Sequence, residues 1–152
     1  MNKLVATART GHGIPPNEIA VLTLESLDDS PHWSQAKLGG KPTAVRPEQG
    51  HVTLSTVRRF KGLEATVVII VDVDFSRAVH DEWRRRFYVA CSRARQFVQV
   101  IIRTKETDLA ESVRVFADSD KIRPSWSTLA RHLGARIAGG DEDDPFVEPR
   151  SR

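Results

Sequence analysis

Thr66-Val67-Val68-Ile69-Ile70-Val71-Asp72 is an almost unbroken run of β-branched residues, and no other feature of the chain constrains its fold as strongly. A strand with one wet face alternates apolar and polar residues. A continuous apolar run instead marks a strand covered on both faces, the usual condition inside a parallel sheet. Parallel neighbours cannot be joined by tight hairpins and need crossover connections, commonly helices. This one segment therefore predicts a layered α/β architecture.

The flanking segments supply the other layers. Glu18–Thr23 and His51–Thr56 read as strands, and Phe97–Arg103 as a fourth. His80 to about Arg93 reads as a helix whose buried stripe is Trp83, Phe87, Ala90, Cys91 and Ala94. Shorter helices are predicted over Lys3–Thr10, Thr107–Phe116 and Trp126–Ile137. Residues Glu25–Gly50 hold Asp28-Asp29-Ser30-Pro31, Gly39-Gly40-Lys41-Pro42 and Pro47, so they read as a long loop pinned by Trp33 and Leu38. The predicted organisation is one folded domain over 1–138 and an acidic, disordered tail over 139–152.

Charge and cysteine content narrow the functional classes. The formal charge is +3, and residues 140–152 carry five acids and two bases, which leaves +6 on the rest of the chain. A modestly basic body suits phosphate contact. A single cysteine excludes an internal disulfide, and no histidine lies at ligand spacing from another or from Cys91, so no metal site is expected. No apolar run approaches the roughly 20 residues that span a bilayer. The expected location is cytoplasmic, with no membrane partner.

Two segments concentrate chemistry. Ser55-Thr56-Val57-Arg58-Arg59-Phe60-Lys61-Gly62-Leu63-Glu64 follows one strand and precedes the most apolar one. Gly62 permits close backbone approach to a phosphate, Lys61 and the arginines supply charge, and Glu64 can accept from a sugar hydroxyl. By composition alone a solvated, charged turn is the commoner meaning of such a loop. Arg84-Arg85-Arg86-Phe87-Tyr88-Val89-Ala90-Cys91-Ser92-Arg93-Ala94-Arg95 is the second. Arg86, Ala90 and Arg93 share a helical face, and Arg93 near the helix end offers a planar guanidinium to a phosphoryl group. Taken alone, this segment reads first as a basic helix packing Trp83 and Phe87 inward.

As a pair the two segments are specific. Thr56 to Ile70, with its Lys-Gly-Leu-Glu core and apolar strand, resembles motif V of UvrD/Rep-like superfamily 1 DNA helicases. Tyr88-Val89-Ala90-Cys91-Ser92-Arg93-Ala94-Arg95 resembles motif VI, and Ile14–Leu22 is similar to the lead-in to motif IV. The resemblance implies a second RecA-like domain: a mostly parallel sheet flanked by helices, like a P-loop NTPase without the P-loop. In that family ATP lies between two such domains. Carried over, Arg93 would be the arginine finger, Gly62, Glu64 and Lys61 would contact the nucleotide, and Thr56 and Arg58 would face single-stranded DNA. The implied cofactor is ATP with Mg, shared with a first domain. The implied partners are single-stranded or partly duplex DNA and a P-loop-bearing helicase domain, in cis or in trans.

The departures matter too. Gly39-Gly40-Lys41-Pro42 fails the Gly-x-x-x-x-Gly-Lys-Ser/Thr pattern, and nothing else matches it. The chain alone is therefore expected to be inactive as an ATPase. Thr23-Leu24-Glu25 stands where the family often has an arginine, Arg58 replaces a common His and Arg86 a usual Leu. Residues 25–50 are too few for the family's large accessory subdomain. The missing phosphate loop also motivates a different class, a stand-alone, non-enzymatic module that binds nucleic acid or a helicase partner. A third reading, a small autonomous NTPase, would use Arg93 with Asp72 imitating the end of a magnesium-binding strand.

Overall fold

A computed structural model describes residues 1–26, 29–31, 33–103, 105–117 and 124–134. The chain divides into two compact units, Met1–Val73 with Arg85–Ile102, and Asp74–Arg84 with Arg103–Arg152.

The first unit is built on a six-stranded sheet: β1 (Ile19–Thr23), β2 (Lys37–Leu38), β3 (Lys41–Ala44), β4 (Val52–Thr56), β5 (Ala65–Val73) and β6 (Ala94–Ile102), in the order β2-β3-β4-β1-β5-β6. All neighbours pair in parallel except β2 with β3. The apolar run is β5, and every residue of it except Thr66 is buried. β1 lies between β4 and β5 and is buried throughout, with Val21 facing Leu54 on one side and Ile69 on the other. The α/β parallel architecture expected from the sequence is therefore the observed one.

The loop expected over 25–50 is more ordered than the sequence suggested. Gly39 and Gly40, at φ 55° and 78°, form the two-residue turn of a short β2–β3 hairpin. β3 then adds to the sheet edge beside β4. Leu38 is fully buried and pins this segment as expected, while Trp33 is only partly covered. The helix predicted over Lys3–Thr10 is present, but only its first part is α-helical: α1 (Asn2–Ala6) widens into a π-helical turn over Thr7–Gly11.

Helix α2 (Asp81–Cys91) makes the crossover from β5 to β6. It ends two residues before the predicted boundary, so Arg93 lies in the turn, and β6 begins at Ala94 rather than Phe97. Ala94, assigned from the sequence to the helix stripe, is thus a strand residue.

The second unit contains a 3-10 turn (Phe75–Val79), α3 (Leu109–Ala117) and α4 (Trp126–His132). Phe75 and Trp83 meet edge to face, with centroids 5.7 Å apart. Ser125 caps α4, its hydroxyl accepting from the Thr128 amide at 3.1 Å. Residues 135–137 of the last predicted helix, and the acidic tail, lie outside the described residues.

Candidate nucleotide-facing edge

The predicted site residues all fall in the first unit, and the sheet divides them between its two ends. Thr56 closes β4 at the carboxyl end. The Val57 amide donates to the Thr23 carbonyl at 3.2 Å, and Phe60 N to Thr56 O at 3.0 Å turns the chain. Phe60 is fully buried and anchors that turn. Thr56 Oγ1 accepts from the Arg59 amide at 3.2 Å, which is a capping role, and Arg58 and Arg59 stand exposed beside it.

From Phe60 the chain crosses the sheet. Lys61, Gly62, Leu63 and Glu64 lead to the amino end of β5, because β5 runs parallel to β4's neighbour β1 and must start there. Gly62 has φ 81°, a left-handed conformation that favours glycine, and a Cβ placed on it would meet nothing within 4 Å. The backbone here is open to approach. Lys61 and Glu64 are exposed.

Arg93 arrives at the same edge from the other side. Ala65 is the register partner of Ala94, so the residues before them are neighbours, and the Ala65 amide donates to the Arg93 carbonyl at 3.0 Å. The Arg93 side chain folds back over the end of its helix, Nε donating to the Val89 carbonyl at 3.2 Å and a terminal nitrogen to Ser92 Oγ at 3.1 Å. Gly62, Glu64 and Arg93 therefore share the amino edge of β5 and β6, while Thr56 and Arg58 sit at the opposite edge of the sheet.

The same topology changes the meaning of Thr23-Leu24-Glu25. Thr23 ends β1 and Leu24-Glu25 follow it at the carboxyl end, so an arginine there would stand across the sheet from Arg93. Leu24 is met instead by Arg86, whose terminal nitrogen donates to its carbonyl at 3.3 Å.

Asp72 is 2% exposed and has φ 58°, the one non-glycine residue with positive φ among the described residues. Its Oδ2 accepts from Thr23 Oγ1 at 3.0 Å and Ser30 Oγ at 2.7 Å. That carboxylate ties the loop after β1 to the end of β5. Nothing in its surroundings matches the exposed, cleft-facing carboxylate that a magnesium-binding strand would present.

Three further polar residues, Glu18, Thr66 and Arg95, meet at the amino edge. Glu18 Oε2 accepts from Thr66 N at 3.3 Å and Thr66 Oγ1 at 2.8 Å, and pairs with the Arg95 guanidinium. Arg95 also donates to Thr66 Oγ1 at 3.1 Å. Arg95 was visible in the sequence only as the second arginine of Ser-Arg-Ala-Arg. Its partner lies 77 positions away and becomes evident only once the strand order is known.

Among the described residues, no helix is long and apolar enough to cross a membrane. No curated protein matches the chain. Residues 51–101 match the family model of the UvrD-like helicase C-terminal domain. The match runs from the start of β4 through β6 and takes in Thr56, Arg58, Lys61, Gly62, Glu64 and Arg93. Residues 51–101 are therefore similar to the UvrD-like helicase C-terminal domain, and they lie on a mostly parallel α/β sheet consistent with a RecA-like fold.

Proposed function

We propose that this chain is the second motor domain of an ATP-dependent DNA helicase and supplies one wall of a nucleotide site. The observation that carries the reading is the shared amino edge: Gly62 and Glu64 precede β5, Arg93 precedes β6, and one backbone hydrogen bond joins the two segments. A nucleotide suits what is found there. The open space above Gly62 admits a phosphate or ribose against the backbone. Glu64 is exposed and can accept from ribose hydroxyls, and Lys61 adds positive charge.

In this reading Arg93 is the arginine finger. Its guanidinium is held only by its own helix end, through Val89 and Ser92, so it can unfold outward at little cost. A permanently charged planar fork directed at a γ-phosphoryl group stabilises the charge that spreads over that group's oxygens during transfer. Bound ATP with Mg supplies the phosphoryl group and its counter-charge. The phosphate loop and the metal's carboxylate would come from a first RecA-like domain, in cis or in trans.

The opposite edge fits a nucleic-acid strand. Arg58 and Arg59 are exposed on a turn anchored by Phe60, a rigid mount for backbone phosphate contacts. Thr56 supports that turn through the Arg59 amide and borders the same surface. The sheet would then separate ATP contacts from DNA contacts by the length of its strands.

The test is Arg93→Ala in the chain joined to a P-loop-bearing first domain. DNA-stimulated ATP turnover should fall at least about a hundredfold while nucleotide binding survives. A mutant that hydrolyses ATP at the full rate would sink the assignment.

A further inference from the structure

We infer that Glu18 is a positioning residue for the amino edge, holding Glu64 and Arg93 at a fixed spacing through Thr66 and Arg95. The inference rests on the proposed roles of Glu64 and Arg93 and extends them to residues outside the matched segment, which begins at position 51.

The strand starts need such a tie. β5 and β6 pair Ala65 with Ala94, but the next pair is Val67 with Phe97. Two steps along β5 thus correspond to three along β6, an extra residue at Arg95–Gln96. A bulge of this kind interrupts the ladder and re-aims a side chain. Here it falls immediately after the two residues that would hold the nucleotide. The backbone ladder beyond the bulge is out of register with the pairing before it, where the Ala65 amide donates to the Arg93 carbonyl at 3.0 Å.

Glu18 supplies the missing constraint. It ends the 3-10 turn Pro16–Glu18, which opens on Pro15-Pro16, and it immediately precedes β1. The two prolines restrict the approach to the central strand. From that base one carboxylate oxygen reaches the Thr66 amide and hydroxyl on β5 and the Arg95 guanidinium on β6. Thr66 lies two residues after Glu64, and Arg95 two residues after Arg93. The carboxylate therefore staples three strand starts, two residues from Glu64 on one strand and two from Arg93 on the other. The side chains of Glu18 and Arg95 are 30% and 47% exposed, so this is a partly solvated pair whose value is geometric as much as energetic.

Amide hydrogen exchange on the intact chain tests the staple directly. In Glu18→Ala, the Ala65 amide should exchange about tenfold faster or more, while Val68 and Ile69 in the same strand keep their protection. Glu18→Gln, which keeps one acceptor oxygen, should lie between. Thr66→Val, which keeps the β-branched shape, should also loosen Ala65. With a P-loop-bearing first domain attached, Glu18→Ala should raise KM for ATP as well as lower kcat, since both proposed contacts shift; a mere loss of folded enzyme would leave KM unchanged. Unaltered exchange at Ala65, or faster exchange with KM and kcat both retained, overturns the inference. Arg93→Ala in parallel separates the two ideas: if it leaves turnover intact, the nucleotide reading fails even where Glu18 is shown to order the strand starts.

Discussion

Cys91 illustrates how a side chain's surroundings, rather than its type, set its chemistry. It closes α2 and is partly buried, and burial pushes its thiol up to about 11, offset only in part by a backbone hydrogen bond. The thiolate is the reactive form, and burial disfavours it because it is charged. At pH 8 the native thiol should alkylate with iodoacetamide about a hundredfold more slowly than the same thiol in denaturant. The native rate should keep climbing beyond pH 9, where the unfolded rate levels off. Equal rates in the two states would show that Cys91 is not shielded. The residue scale is also where the sequence was least informative about the site. Gly62, Glu64 and Arg93 could be named from the motifs, but Glu18 could not, because a glutamate before an apolar strand has no signature until its partners 48 and 77 positions away are brought to it.

At the scale of elements, legibility followed how local the cause of each element was. β5 could be read directly because its burial on both faces is written as continuous hydrophobicity, and α2 because Trp83 and Ala90 recur on its buried side. β3 could not. Lys41-Pro42-Thr43-Ala44 has neither alternation nor β-branched bulk, and it is a strand because β4 offers it an edge to pair with. The same dependence on neighbours governs α1. A five-residue helix is too short to persist by itself. It is held by Asn2, whose Oδ1 accepts from Gly39 N at 3.1 Å, and by fully buried Val5. Gly39 makes this docking possible. A Cβ there would lie 2.7 Å from Val5 Cγ1 and 2.9 Å from the Ala6 amide nitrogen, and its φ is 55°. Gly39→Ala should therefore combine left-handed strain with overpacking and cost about 2–4 kcal/mol. Gly62→Ala, strained but unobstructed, should cost about 1–2 kcal/mol. Urea denaturation of the two variants checks the order. A Gly39→Ala chain as stable as Gly62→Ala would mean that α1 gives way without loss.

For the molecule as a whole, the decisive feature is the distance between its two polar centres. An autonomous NTPase would need Arg93 and Asp72 around one phosphate. Arg93 is bonded through its carbonyl to Ala65 at the start of β5, and Asp72 lies seven residues further along the same strand. At a strand's rise of roughly 3.3 Å per residue, that is about 23 Å. Asp72 is moreover buried and engaged by Thr23 and Ser30. The two residues cannot serve one reaction centre, and the sequence holds no phosphate loop that could serve in place of either. The chain alone should therefore show no ATP turnover above background, with or without single-stranded DNA, and Asp72→Ala should change its stability and not its turnover. Joining it to a P-loop-bearing first domain should restore hydrolysis that depends on Arg93. Turnover by the isolated chain that vanishes in Asp72→Ala would require a phosphate site at the carboxyl end of β5, and the proposed division of the sheet into a nucleotide edge and a nucleic-acid edge would have to be reversed.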